Sequence, residues 1–374
     1  MKIKKVFKRL LVITLISIAC LGLAGFIFFQ HPSFGSLPAG ARLNKMIKSP
    51  NYKNGEFVNF SPTPIETGEK SKFKGLWDFL FENRKDAKPL ANIPNIKVDL
   101  RRLPAAEDVV IWLGHSSIYM QIDGKKILID PVLVSASPVS FINKPFAGSA
   151  VYAPEDMPDI DYLITTHDHW DHLDYNTIMS LRKKVSTYIS PLGVGAHLEY
   201  WGVDKGKIQE LDWYGDFQDN PEVKITAVPA RHFSGRGLSQ NKTLWAGYII
   251  HSRYGNFYIS GDTGYDTHFS EIKKRYGPIA LAIVENGQYN ADWKYIHMLP
   301  GDLVKATLDL SPGRLLTVHN SKYVLASHSW KEPLVKISEA SEKNAINLIT
   351  PKIGERVYLD QPGQKFEKWW KEMD

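Results

Sequence analysis

The sequence predicts an α/β (α+β) protein in which two sheets lie face to face between helical layers, led by one helix that spans a membrane. Three observations carry that expectation. From about Ile96 onward, short β-branched runs alternate with turn residues and a few helical stretches. The second half of the chain repeats the theme. Ahead of both, residues 10–29 form an apolar run without a charge.

Residues 1–9 are a basic tail carrying Lys2, Lys4, Lys5, Lys8 and Arg9. The run from Leu10 to Phe29 rises about 1.5 Å per residue and so reaches across the roughly 30 Å hydrocarbon layer. Basic residues precede it and no comparable cluster follows directly. The positive-inside rule therefore predicts a single-pass protein of the bacterial plasma membrane, N-terminus cytoplasmic and catalytic domain extracytoplasmic. A cleaved signal peptide is the competing reading; it would want an apolar stretch of about 7–15 residues with a small-x-small site close behind. Cys20, the only cysteine, lies inside the run and cannot form an internal disulfide. Ser17 three positions before it, and apolar residues continuing to Phe29, do not suit lipid attachment.

Residues 30–95 read as a stalk and domain-packing segment, because Pro32, Pro38, Pro50, Pro62 and Pro64 break any long periodicity. Its aromatic cluster, Phe73, Leu76, Trp77, Phe79, Leu80 and Phe81, is expected to pack on the body rather than dip into a bilayer. Residues 96–374 form the main domain. Strands are expected at 108–113, 117–122 and 126–130, with Asp123-Gly124 as a hairpin turn, then at 162–165 and 185–189 with helices near 176–182 and 194–201. The second half repeats this with strands at 223–228, 244–250, 257–260, 279–284 and 315–318, and helices near 269–276, 303–310 and 331–340.

A hydrophobic share of 43% lets the chain bury a large core. The formal charge of +6 comes almost wholly from the tail. A nearly neutral body lacks the clustered Lys and Arg that neutralise phosphates, so no nucleic-acid partner is expected.

Thr165-Thr166-His167-Asp168-His169-Trp170-Asp171-His172 directly follows a strand, where loops commonly build sites. Three histidines and two carboxylates fall within residues 167–172, in a chain with 12 histidines in all. Imidazole and carboxylate together suit zinc, with manganese or iron also compatible, whereas magnesium prefers oxygen alone. One loop cannot close two coordination shells, and further donors stand at later strand ends: His232, Asp262 in Ser260-Gly261-Asp262-Thr263-Gly264, and His319. The set is too large for one tetrahedral zinc, so two divalent metal ions, Zn2+ or else Mn2+ or Fe2+, are the expected cofactors.

With Gly114-His115-Ser116, Ile129-Asp130-Pro131, His167 through Asp174-Tyr175-Asn176, Glu210-Leu211-Asp212-Trp213, Asn241-Lys242 before Leu244-Trp245, Gly261-Asp262-Thr263-Gly264-Tyr265 and Lys274-Arg275-Tyr276-Gly277-Pro278, the chain resembles the metallo-β-lactamase superfamily. It resembles more closely the branch containing N-acylphosphatidylethanolamine-hydrolysing phospholipase D, over about Val109 to Ala340. The resemblance implies an αββα sandwich, one metal on His167, His169 and His232, another on Asp171, His172 and His319, and Asp262 as bridge. Two stretches depart from that branch: Asn320-Ser321-Lys322 stands in place of Trp-Gly-Thr, and Glu285-Asn286-Gly287-Gln288-Tyr289 in place of Ile-Gly-Ala-Tyr.

Two divalent ions about 3.5–4 Å apart lower the pKa of a shared water and stabilise charge on the attacked centre. Asp171 is expected to orient the attacking oxygen, and His297 to protonate the leaving group or bind the developing anion, with a merely structural histidine as its alternative. Asn241 and Lys242 are candidate phosphate contacts; for Lys242 the alternative is a solvated surface lysine. His115 and Asp130 are candidate supports behind the ligands. The expected activity is phosphodiester hydrolysis, on a phospholipid-like or other small-molecule substrate. A lactonase or amide hydrolase is the alternative, because the same hydroxide can attack a carbonyl carbon.

Overall fold

The structure is a computed structural model and describes residues 2–68, 86–139 and 141–373. The aromatic cluster expected at 73–81 lies outside these residues. The chain opens with helix α1 (Lys2–Phe29), whose apolar side chains are exposed along its length. It is long and apolar enough to cross a membrane or to act as a signal sequence. A turn at Pro32–Phe34, helix α2 (Gly40–Met46) and a hairpin of β1 (Tyr52–Lys53) and β2 (Glu56–Phe57) follow. Met46, Phe57 and Ile93 are buried in the main core, so the described parts of 30–95 lie against the body.

Strands β3 (Val109–Trp112), β4 (Ile118–Ile122), β5 (Lys125–Ile129), β6 (Ile160–Ile164), β7 (Val185–Pro191) and β8 (Ile208–Leu211) make one sheet. Strands β9 (Asp216–Phe217), β10 (Lys224–Val228), β11 (Gly247–Ser252), β12 (Gly255–Ile259), β13 (Ile279–Glu285), β14 (Arg314–Val318) and β15 (Leu348–Ile349) make the second. The last strand, β16 (Arg356–Tyr358), returns to the free edge of β3. Each sheet begins with antiparallel hairpins and ends in parallel strands. Parallel neighbours need crossovers. In the first sheet helices α3 (Tyr175–Leu181) and α4 (Gly195–Tyr200) supply those after β6 and β7, while β5 reaches β6 through a long connection with a turn at Pro154–Asp156; α5 (His268–Tyr276), α6 (Pro300–Leu310) and α7 (Glu332–Asn344) supply them in the second.

The period-2 alternation of strands divides the core into layers. Val110, Trp112, Met120, Ile127 and Ile164 of the first sheet meet Ile225, Ile250, Phe257, Ile283 and Leu316 of the second. Their neighbours Val109, Ile111, Leu128 and Leu163 face outward onto Ile178, Leu181 and Leu198 of α3 and α4. On the far side Ile249, Tyr258, Ala282 and Val284 pack on Phe269, Leu303 and Ile337 of α5, α6 and α7. The result is an αββα sandwich with both sheets covered on both faces.

The expected strands and helices are present, with shifted ends. The strand expected at 244–250 starts at Gly247, because Leu244 and Ala246 donate instead to Leu192 O and Thr166 O, 2.8 and 2.9 Å, tying this stretch to the loops of the other sheet. Strands β8, β9, β15 and β16 and the hairpin of β1 and β2 were not anticipated. Most are two or three residues long and depend on distant partners rather than on their own pattern.

Candidate metal centre

A strand's pleat stops at its C-terminal end, and the loop beyond is free to turn a side chain inward. His167, His169, Asp171 and His172 lie beyond β6, His232 beyond β10, Asp262 beyond β12 and His319 beyond β14, so both sheets deliver donors to one edge of the sandwich. The turns are tight: His115, Asp130 and His319 hold φ of 54°, 42° and 65°, a region that L residues enter at a cost of about 1–3 kcal/mol. Gly261, at φ 59°, sits where a Cβ would meet Thr166 Cβ at 2.8 Å.

The donor atoms fall into two groups, each within 4.8 Å: His167, His169, His232 and Asp262, and His115, Asp171, His172 and His319. Asp262 touches both. Its Oδ2 lies 3.8 Å from Nε2 of His167 and of His232 and 3.1 Å from Nε2 of His172, and its Oδ1 lies 3.2 Å from His319 Nδ1. His115, anticipated only behind the ligands, belongs to the second group, with Nε2 2.9 Å from Asp171 Oδ2. His297 joins Asp262 and His319 in a third group.

Behind the donors stand groups that fix ring orientation. Asp130 Oδ2 is 2.8 Å from His172 Nδ1, and the same carboxylate accepts from Thr166 N and Oγ1 at 2.8 and 2.6 Å. His232 Nδ1 donates to Ile296 O at 2.8 Å, and Ser116 Oγ is 3.0 Å from His319 Nδ1. Asp168 turns away from the cluster and accepts from Gly235 N, Thr243 Oγ1 and His197 Nε2 at 2.7, 2.9 and 3.2 Å.

Burial alone would raise the Asp171 and Asp262 carboxyls, but the surrounding histidines, His172 foremost, hold both well below the usual carboxylate range. Burial and neighbouring imidazoles push His167, His232 and His319 down, which keeps them neutral as ligands must be. For His172 the carboxylates of Asp262, Asp171 and Asp130 outweigh burial and raise it. Among the described residues, the ion-pair partners of these three acids are all histidines. Asp262 Oδ1, His172 Nε2 and His115 Nδ1 are buried without a hydrogen bond. Such atoms cost about 1–3 kcal/mol each unless something satisfies them, so nitrogen and oxygen donors facing one another over excess negative charge fit bound cations.

A cleft of about 190 Å³ opens on the cluster, lined by His169, Asp171, Phe233, Asp262, Gln288, Trp293, Ile296, His297, His319 and Leu325. Within it His297 Nδ1 is 3.5 Å from Oε2 of the buried Glu285, the last residue of β13. Burial opposes a charge on His297, yet Glu285, Asp262 and Asp171 raise its pKa. Asn241 and Lys242, anticipated as phosphate contacts, are not brought to this cleft. Lys242 Nζ donates to Gly55 O and pairs with Glu56, 3.0 and 3.2 Å, and Asn241 holds the β2 strand through Phe57 N.

Sequence reasoning missed Trp293, Phe233 and Arg236, and met Glu285 and Gln288 only as part of a departing stretch, without a role for either. Glu285 had a signal, an acid closing an apolar strand at the edge where Asp262 and His319 also lie. Arg236 had none: its guanidinium, 4% exposed, donates to the carbonyls of Ser33, Asp168 and Leu173 and lies over Trp170.

Donors that converge from two sheets at one edge of a four-layer sandwich define a class, the metal-dependent hydrolases built on paired His and Asp clusters. Comparison with known proteins gives the family. Residues 125–320 match the Beta-lactamase superfamily domain. An uncharacterised protein of Mycobacterium tuberculosis is 36% identical over 87% of this chain and 88% of its own length. The N-acyl-phosphatidylethanolamine-hydrolyzing phospholipase D 1 of Caenorhabditis elegans is 32% identical over 61% of this chain and 68% of its own. In fold, a metallo hydrolase from Ignicoccus hospitalis superposes with a TM-score of 0.53 at 20% identity, covering 70% of this chain and all of the other. The chain belongs to the metallo-β-lactamase superfamily.

Proposed function

We propose that the protein is a membrane-anchored, two-metal phosphodiesterase acting on phospholipid-like substrates. The observation that carries this reading is the pair of donor groups joined at Asp262. His167, His169 and His232 would hold one ion, Asp171, His172 and His319 the other, and Asp262 would bridge them. Zinc suits the donors, and Mn2+ or Fe2+ is compatible. When bound, the ions supply Lewis acidity and make water a nucleophile near neutral pH.

The protein's own residues do the rest. Asp171, beside the cleft and hydrogen-bonded to His115, orients the attacking water. With Nδ1 turned toward Glu285, His297 carries on Nε2 the proton that a poor leaving oxygen needs. Phe233, Trp293, Ile296 and Leu325 give the cleft apolar walls that suit an amphiphile and exclude water. The names of the Caenorhabditis elegans and Saccharomyces cerevisiae relatives, each 32% identical, support a phospholipid headgroup as substrate. In this reading residues 10–29 are the anchor, with the tail cytoplasmic and residues 96–374, the hydrolase domain, outside.

The test is metal-reconstituted protein assayed on a nitrophenyl phosphodiester, a phospholipid and a lactone, with metal analysis alongside. The expected result is about two ions per chain and metal-dependent turnover of both phosphodiesters, with His297→Ala costing more on the phospholipid, whose leaving group is poorer. Robust lactone hydrolysis without phosphodiesterase activity would replace this reading with a lactonase or amide hydrolase.

A further inference from the structure

Helix α1 does not end in a free linker. Just past Phe29, Trp201 Nε1 donates to Pro32 O at 2.7 Å, Arg236 Nε and Nη2 donate to Ser33 O at 3.1 and 2.9 Å, and Ser36 N donates to His197 Nδ1 at 3.1 Å. Phe34 packs edge-on against Phe28 and Trp170, with ring centroids 5.1 and 5.0 Å apart. A chain so fastened has no slack between helix and body. Whatever surface flanks Phe29 therefore lies where the helix leaves its apolar surroundings.

That surface is a groove of about 240 Å³ between Phe29, Phe34 and Leu37 on one side and the loop beyond β10, with Leu238 at its tip, on the other. Leu238 is 87% and Leu37 55% exposed. Neither residues 30–41 nor residues 233–241 contain an acid, and their one formal cation, Arg236, is buried. Lys242 closes the polar edge with its ammonium on Glu56. Asp168 at its floor is buried and hydrogen-bonded, so a largely apolar rim, its one ammonium paired, lies beside an apolar helix and has the chemistry of an interfacial lipid contact.

We propose that this rim inserts into the lipid interface as a second, non-spanning contact, with Leu238 at its deepest point. The occupant is the bilayer surface, because the groove's wall includes the last residue of the very helix that would cross it. The inference rests on reading α1 as a membrane span.

The full chain in nanodiscs of phosphatidylethanolamine and phosphatidylglycerol tests it, and the single native cysteine helps. One preparation carries an environment-sensitive fluorophore on Cys20; a second carries it on Leu238→Cys in a Cys20→Ser background. Each is quenched separately by a mixture of lipids bearing shallow and deep nitroxides and by aqueous iodide. The expected result is a blue-shifted emission at both positions and loss of most of the fluorescence to the nitroxides rather than to iodide. If the label on Cys20 is quenched by lipid but that on Leu238→Cys only by iodide, the rim contact is wrong and the span stands. Shielding of Leu238→Cys from both quenchers would overturn the proposal in favour of a second copy of the chain covering the groove. A Cys20 label open to iodide would overturn the span, and the rim contact with it.

Discussion

Lys322 is a lysine with 2% of its surface exposed, its ammonium donating to Val132 O at 2.9 Å. Burial pushes its pKa down from 10.5 to about 8. Between those values the unfolded chain holds a proton that the folded protein does not, so stability rises with pH across this window. Below about 8 the folded state bears the whole cost of a buried ammonium. Lys322→Met, which keeps the apolar stem, is expected to stabilise the protein by about 3 kcal/mol near neutral pH, an advantage that shrinks as pH climbs toward 10.5. Urea unfolding of both proteins across that range measures it, and a constant difference would show that Lys322 is not the titrating group. Nothing in Asn320-Ser321-Lys322 announces that burial, because a lysine's environment is set by distant neighbours such as Val132. The convergence of His and Asp was legible for the opposite reason. Cations demand His and Asp at strand ends, and residues 167–172 concentrate them beyond any structural need. His115 was half legible: its Gly-His-Ser setting marked a tight turn, but only the fold brings its ring to Asp171.

At the scale of elements, the loop from Asp168 to Leu173 carries His169, Asp171 and His172 and is gripped at both ends. Arg236 Nη1 donates to Asp168 O at 2.8 Å and to Leu173 O at 2.7 Å, while Trp170 lies under its plane at 4.0 Å. Arg236→Lys keeps the charge but replaces a rigid fork with a compact ammonium that cannot span carbonyls reached from Nε, Nη1 and Nη2. The expected outcome is a loss of about 2–4 kcal/mol of stability and metal affinity weakened roughly 10–100-fold, the usual effect of releasing a ligand's support. Denaturant unfolding and competition with a chromophoric chelator report the two effects. Unchanged affinity with lowered stability would mean that the grip shapes the fold but not the site. Long periodic elements such as β4, β13 and α6 could be read from pattern alone. Strand β16 could not, because its three residues are held by β3 from the opposite end of the domain. The surroundings of Asn241 and Lys242 were hidden for a related reason: near a proposed ligand in sequence, the pair faces the β1 and β2 hairpin.

Across the whole molecule, the donors couple the two sheets. His115, Asp171 and His172 come from the first and His232, Asp262 and His319 from the second, so ions held between them would act as a clasp on the inter-sheet core. A ligand that binds only the folded state stabilises by about 4 kcal/mol at a thousandfold excess over its dissociation constant. Chelation is therefore expected to lower the melting temperature by several degrees and to broaden the transition, as calorimetry with and without metal would show. A melting curve indifferent to chelator would mean that the sheets need no clasp. The fastening of Pro32, Ser33 and Ser36 to the body has a kinetic consequence of another kind. If the enzyme works as proposed, held without slack beside a lipid sheet, it searches for substrate in two dimensions, and its rate should then follow the mole fraction of substrate lipid in the surface. Diluting that surface with inert lipid should slow the enzyme, and diluting the suspension with water should not.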